Sequence, residues 1–224
     1  MIYDKQIIKE NIERITAEIK NRATLLTATK TIPAEIINFA ADCGVTVIGE
    51  NRVNELLEKY DRIDKERLDI HFIGHLQTNK VKYIIDKVNL IHSVDSIKLA
   101  EEINIHACRI NKQMDILVEV NIANEPSKSG ILFEEIDEFT KKIQKFDNIR
   151  LRGLMAIPPK CENSQENCVF FDKLGKKFID ISHKKVDNSN IGILSIGMSS
   201  DYMSAIENGS TLVRIGSAIF GTRN

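Results

Sequence analysis

The sequence predicts an α/β fold, a single (β/α)8 TIM barrel with an extra N-terminal helix, spanning residues 1–224 as one domain. Three observations carry that prediction. Eight short apolar runs rich in β-branched residues recur along the chain, helical patterns lie between them, and the 224 residues leave no room for a second domain. Strands that are apolar throughout are those covered on both faces. Alternating strands and helices imply a parallel sheet. An open doubly wound sheet would satisfy the same order, but eight strands in so short a chain fit a closed barrel better.

The opening helix is read from Ile8, Ile12, Ile15 and Ile19, which recur at helical spacing. The first strand is 25–30. Pro33 then stands where a helix can begin. Ile36, Ile37, Phe39 and Ala40 supply that helix's apolar face, and Cys43-Gly44 ends it. The second strand is 45–50, followed by a helical stretch around 53–60. Further strands are expected at 70–75, 90–95, 115–122, 151–157, 193–198 and 212–216. Phe133, Ile136, Ile143 and Phe146 mark one helix between them. Phe170, Phe171, Leu174, Phe178 and Ile181 mark another. Residues 160–167 and 188–190 read as loops.

Composition narrows the function classes. Thirty-one basic and 32 acidic side chains give a formal charge of −1, which argues against nucleic acid as the main partner. No apolar run approaches the ~20 residues of a membrane span. The start, Met1-Ile2-Tyr3-Asp4-Lys5, lacks a signal-peptide pattern, so a cytoplasmic protein is expected. Cys43, Cys108, Cys161 and Cys168 are scattered, with no CxxC pair, and are expected to be reduced thiols, Cys161 and Cys168 in an exposed stretch. His71, His75 and His92 stand on separate strands without an HxH or HExxH pattern, so no metal is expected. His106 and His183 fall in helical stretches and are expected at the surface.

In such barrels chemistry sits where strands end. The strand ends here are Lys30, Glu50-Asn51, His75, Ser93, Asn121, Met155, Ser199-Ser200 and Gly216-Ser217, most of them polar. Lys30 is the sharpest candidate, because an amine that forms a Schiff base benefits from partial desolvation. Gly197-Met198-Ser199-Ser200-Asp201 and Gly216-Ser217 follow the last two strands, where barrels often hold phosphate. Glycine admits close backbone approach and Ser199, Ser200 and Ser217 offer hydroxyls. An amine and an anion cradle together suggest a phosphorylated aldehyde such as pyridoxal 5′-phosphate. Arg214 stands two residues before Gly216 and so shares its face. Its partner could be a pyridine nitrogen or a buried carboxylate such as Glu50 or Glu119.

These segments resemble the pyridoxal phosphate homeostasis (YggS/PROSC) family over nearly the whole chain. The matching stretches are Ala28-Thr29-Lys30-Thr31, Gly49-Glu50-Asn51-Arg52-Val53-Asn54-Glu55, residues 71–80, Ser93-Val94-Asp95-Ser96, Val118-Glu119-Val120-Asn121, Gly153-Leu154-Met155, residues 197–201 and residues 213–221. The resemblance implies a fold similar to the alanine racemase N-terminal domain. It implies pyridoxal phosphate held as an aldimine by Lys30, with Ser199, Gly216 and Ser217 on the phosphate. Arg214 would face the pyridine nitrogen, and Asn51, His75, Asn121 and Met155 would surround the ring. Many members carry threonine where Ser217 stands, and serine keeps the hydroxyl. Ser127-Lys128-Ser129-Gly130 would shape the rim.

The resemblance also implies a carrier that supplies the cofactor to pyridoxal-phosphate-dependent apo-enzymes, a monomer in preference to a dimer, and no catalytic residue. An amino-acid racemase is the alternative. It is disfavoured because arginine cannot accept the pyridine proton, which leaves a weak electron sink. The expected absence of a second domain with an opposing acid or base points the same way. Low incidental racemase or transaminase activity is compatible with this. A class I aldolase using Lys30 is the third possibility, and it predicts no bound chromophore.

Overall fold

The apolar runs become parallel strands because helices cover one face of each and the barrel interior the other. The computed structural model describes residues 3–159, 167–184 and 190–221. Its strands are β1 (Thr24–Ala28), β2 (Val47–Glu50), β3 (Asp69–Phe72), β4 (Leu90–Val94), β5 (Met114–Asn121), β6 (Ile131–Leu132), β7 (Ile149–Ala156), β8 (Ile193–Ser195) and β9 (Leu212–Ile215). They lie in the order β4-β3-β2-β1-β9-β8-β7-β5, and β4 pairs with β5 to close an eight-stranded barrel. β6 stands outside the ring and, among the described residues, pairs with the end of β5 alone.

All eight predicted strands are present. Most end earlier than expected, because residues at their C-terminal ends have left the ladder, and two of these still bond across it. Thr29 N–H donates to Gly49 O at 2.9 Å, and Ile73 N–H to Glu50 O at 2.9 Å. The two-residue β6 was not expected. It is too short to show a period.

The helices are α1 (Lys5–Ile19), α2 (Ala34–Asp42), α3 (Val53–Lys59), α4 (Val81–Ile84), α5 (Ile97–Arg109), α6 (Ile136–Ile143), α7 (Cys168–His183), α8 (Tyr202–Glu207) and α9 (Ser217–Phe220). α1 is the extra N-terminal helix. Asp4 caps it by accepting from Gln6 N–H at 2.9 Å and Ile7 N–H at 3.2 Å. Ile8, Ile12, Ile15 and Ile19 form its buried face. Asn11 Nδ2 donates to Ile219 O at 3.1 Å, and the Tyr202 hydroxyl donates to Glu18, tying α1 to α9 and α8. That bond pulls the Glu18 carboxyl down, while burial pushes the Tyr202 phenol up to about 12. Among the described residues no helix is long and apolar enough to cross a membrane.

Two cores result. The larger fills the layer between strands and helices and includes Ile12, Ile37, Ile48, Leu56, Phe72, Leu99 and Ile215. The smaller lies inside the barrel, where Leu26, Val47, Ile73 and Leu212 pack together, as do Leu90, Leu117 and Met155. Strand alternation therefore assigns Leu26, Ala28, His71, His92, Glu119, Ser195, Arg214 and Gly216 to the interior, and Thr27, Thr29, Ile48 and Glu50 to the helical layer.

Cys43, Cys108 and Cys168 are free thiols, with Cys108 exposed and the other two partly covered, and burial pushes the Cys43 thiol up. Cys161 and most of the expected loops at 160–167 and 188–190 lie outside the described residues.

Candidate functional site

The C-terminal ends of β1, β8 and β9 open onto one cleft of about 570 Å³, a size suited to a small molecule. Lys30, Asn51, Ser199, Ser200, Arg214, Gly216 and Ser217 all line it, with Ala28, Ile73, Ile157, Met198 and Phe220 as apolar wall.

Lys30 sits in a tight turn just past β1. Thr31 takes a left-handed φ of 63°, and Ile32 N–H closes the turn onto Thr29 O at 3.0 Å. α3 braces this turn twice. Glu55 accepts the Thr31 N–H at 2.9 Å. Lys59 Nζ donates to the carbonyls on either side of Lys30 and Thr31, Thr29 O at 2.9 Å and Ile32 O at 3.2 Å. Lys59 is held in turn by Glu50, 2.7 Å away, whose carboxylate also accepts from the Thr29 hydroxyl at 2.5 Å. Burial raises the Glu50 carboxyl, and the Lys59 ammonium and the two hydrogen bonds oppose that rise. Glu50 is therefore the counter-ion of Lys59 and not of Arg214.

Asn51 follows β2. Its backbone is pressed against Gly74, where a Cβ would stand 2.0 Å from Asn51 O, so only glycine fits there. Its Oδ1 is buried and has no hydrogen-bond partner, which leaves an acceptor in the cleft wall.

The opposite wall is built by the turn after β8. Asp201 ties it down by accepting Met198 N–H at 2.7 Å and the Asn167 amide at 2.9 Å. Ser199 Oγ accepts the backbone N–H groups of Gly216 and Ala218, each at 3.3 Å, joining this turn to the start of α9. Its own hydroxyl hydrogen is the donor it can offer the cleft.

Arg214 rises from β9 inside the barrel and is 5% exposed. Nη1 donates to Ser195 O at 2.6 Å and Ser195 Oγ at 2.7 Å, and Nη2 to Ala156 O at 3.0 Å. Burial lowers its pKa to about 10, opposed by Glu119 and Asp201. It stays charged at neutral pH. Glu119 is pushed up to about 7, mainly by burial and then by Asp95, with Arg214 opposing. Of the two carboxylates expected near Arg214, only Glu119 faces it electrostatically.

Three expected residues do not line the cleft. His75 has a side chain 60% exposed and stands 3.8 Å from Asp95. Asn121 closes its own loop, donating to Glu125 O at 2.8 Å and Lys128 O at 3.2 Å and accepting Glu125 N–H at 3.0 Å. Met155 is buried in the barrel with Leu90 and Leu117. Each occupies a strand end, as expected, but a strand end can project outward, fold into its loop or pack below the mouth. Lys128 donates at 3.0 Å to the carbonyl of Pro158, the residue after Ile157 of the cleft wall. His106, expected at the surface, has a side chain 13% exposed and pairs with Glu102.

Sequence reasoning missed Lys59, which lies 29 positions from Lys30 in an ordinary charged helix. It also missed the contact between His71 and His92, whose ring nitrogens are 3.0 Å apart. Among the described residues no group of side chains could hold a metal ion.

The alanine racemase N-terminal domain family matches residues 3–224. A protein of Aquifex aeolicus named pyridoxal phosphate homeostasis protein is 44% identical over 204 residues, 91% of this chain and 89% of that one. The solved structure of a Bifidobacterium adolescentis protein of unknown role superposes with a TM-score of 0.90 at 32% identity, over 98% of each chain. PipY of Synechococcus elongatus, solved with pyridoxal phosphate bound, superposes with a TM-score of 0.86 at 27% identity, over 96% of this chain and 100% of that one.

Proposed function

Because this chain belongs to the pyridoxal phosphate homeostasis protein family, we propose that it binds pyridoxal 5′-phosphate in the Lys30 cleft. We propose further that it holds the cofactor through Lys30 and supplies it to cytoplasmic apo-enzymes, acting as a monomer and turning over no substrate of its own. The observation that carries this is the convergence of an amine, a guanidinium and three serine hydroxyls on one cleft with an apolar wall. The unpartnered Asn51 oxygen adds an acceptor for a ligand donor.

When bound, pyridoxal phosphate supplies an aldehyde carbon that condenses with an amine and loses water. Lys30 is the amine, and its turn is fixed by Glu55 and Lys59. Ser199, Ser200 and Ser217 donate to the phosphate beside Gly216, whose missing side chain leaves the approach open. Arg214 presents a donor to the pyridine nitrogen. A guanidinium gives no proton at neutral pH and accepts none, so that nitrogen stays unprotonated and the ring remains a poor electron sink. This favours holding over catalysis. Ile73, Met198 and Phe220 supply apolar surface along the sides of the cleft. Asn121 and Met155 act at one remove, shaping the rim and the floor.

The test is absorbance and mass mapping of the purified protein, before and after borohydride, beside Lys30→Ala. Cofactor fixed to Lys30 in the parent and absent from the variant is the expected result. Ser199→Ala and Ser217→Ala should each raise the apparent dissociation constant by roughly ten- to a hundredfold, since a hydrogen bond to a charged acceptor contributes ~1.5–3 kcal/mol. A parent that takes up no pyridoxal phosphate would overturn the proposal. Amino-acid turnover by the loaded parent, at a rate matching a dedicated racemase, would overturn the carrier role alone.

A further inference from the structure

A line of buried polar groups runs through the barrel interior from its N-terminal mouth to Arg214. Asp69 Oδ2 lies 3.2 Å from His71 Nε2, and His71 Nδ1 lies 3.0 Å from His92 Nε2. His92 Nδ1 lies 3.1 Å from Ser195 Oγ, and Ser195 Oγ lies 2.7 Å from Arg214 Nη1. His92 and Ser195 are fully buried and His71 is 5% exposed. Nothing proposed above uses either histidine.

Donor and acceptor chemistry sets the direction of every link. Arg214 can only donate, so Ser195 Oγ accepts from it and has one hydrogen to give. The acceptor in reach is His92 Nδ1. His92 then carries its hydrogen on Nε2 and gives it to His71 Nδ1, and His71 gives its Nε2 hydrogen to the Asp69 carboxylate. Both rings and the Ser195 hydroxyl are then paired with both rings neutral, and Asp69 engages the line through Oδ2 while its Oδ1 is buried without a hydrogen-bond partner. The reverse direction needs a doubly protonated His71, because Nε2 must still face a carboxylate. It would also leave Ser195 accepting from both His92 and Arg214, with its own hydrogen stranded. Burial above all, then the repulsion that a protonated His71 would exert and the Arg214 charge, depresses the His92 pKa well below the ordinary value, in keeping with the neutral form. The other charges at the mouth are engaged among themselves. Arg150 and Arg152 bind Asp115, and Lys112 donates to Ile85 O and Val88 O.

We propose that His92 is a positioning residue for the cofactor cleft, orienting the Arg214 guanidinium through the Ser195 hydroxyl, with His71 and Asp69 fixing the tautomer of His92. Without an acceptor at His92 Nδ1, the Ser195 hydroxyl turns to another partner and ceases to be a fixed acceptor for Nη1. One edge of the guanidinium then loses its side-chain anchor, although the carbonyls of Ser195 and Ala156 remain. The link to the cofactor rests on the proposed pyridoxal phosphate site, whereas the orientation of the line does not.

The first measurement therefore uses the chain without cofactor. With ¹⁵N-labelled histidine at pH 7.5, NMR should show both His71 and His92 protonated at Nε2 and bare at Nδ1. A hydrogen on His92 Nδ1 overturns the assignment without any variant. ¹⁵N-labelled arginine should show resolved, slowly rotating Nη groups for Arg214. His92→Asn keeps an acceptor at the Nδ1 position and should preserve those resonances, while His92→Leu and Ser195→Ala should average them. In the loaded protein, His92→Leu should raise the apparent dissociation constant for pyridoxal phosphate about fivefold and shift its absorption maximum, since one hydrogen bond contributes ~1 kcal/mol, and His92→Asn should restore both. Arg214 equally ordered in all three variants overturns the positioning role. A parent with the expected tautomers that fails to bind pyridoxal phosphate instead overturns the proposed site and leaves the line standing.

Discussion

Lys59 has a side chain only 6% exposed, its ammonium enclosed by Glu50 and two carbonyls of the Lys30 turn. Replacing it with methionine leaves a buried carboxylate without its counter-ion, a change that typically costs roughly 3–5 kcal/mol. Urea unfolding should show that loss in Lys59→Met, and Glu50→Gln in the same chain should recover part of it. Full additivity of the two losses would show that the pair is not coupled. Glu119 gives a pH signature of opposite kind. Its folded pKa of about 7 stands above the ordinary 4.5. Between those values the folded state binds more protons than the unfolded one, so this group's contribution to stability falls as pH rises from 4.5 through 7. The depressed His92 works the other way, losing stability as pH falls below 6.5. Glu119→Gln should therefore stabilise the protein more at pH 8 than at pH 5, by about 3 kcal/mol in the difference. Thermal melts of parent and variant across that range test it, and parallel curves would refute it.

Among the elements, α1 and α3 do more than cover strands. α3 carries both Glu55 and Lys59, so one helix fixes both the Thr31 backbone and the carbonyls around it. α1 buries four isoleucines and reaches α8 and α9, the helices that follow the Ser199 and Gly216 turns. Most of its hold comes from that apolar face. Ile12→Ala should cost roughly 2–5 kcal/mol, against ~1 kcal/mol for Asp4→Ala at its cap. Denaturant midpoints give the ranking, and equal losses would mean that the cap matters as much as the face.

For the whole molecule, closure of β4 onto β5 converts a sheet into a barrel whose interior holds apolar layers and one polar line. The cleft draws on β1, β2, β8 and β9 together, so a ligand there should stabilise the fold as a unit. At a concentration a hundred times its dissociation constant, pyridoxal phosphate should add about 2.7 kcal/mol and raise Tm by roughly 5–10 °C. Lys30→Ala should lose most of that shift while melting normally without ligand. An unchanged Tm for the parent would place the ligand elsewhere or deny it.

The sequence by itself determined the strand count, the alternating order, the opening helix and the cluster of Lys30, Asn51, Ser199, Ser200, Arg214, Gly216 and Ser217. Each of these is written in local spacing or in residue chemistry at the end of an apolar run. Only the tertiary structure decided which side chains meet. Strand register set Glu50 toward Lys59 and away from Arg214, brought His71 against His92, and left His75 outside, Asn121 in its own loop and Met155 below the mouth. Such pairings depend on closure of a ring that seats β9 beside β1, nearly the whole chain apart in sequence. A one-residue step along a strand turns a side chain from the barrel interior to the helical layer, so no local pattern contains that information.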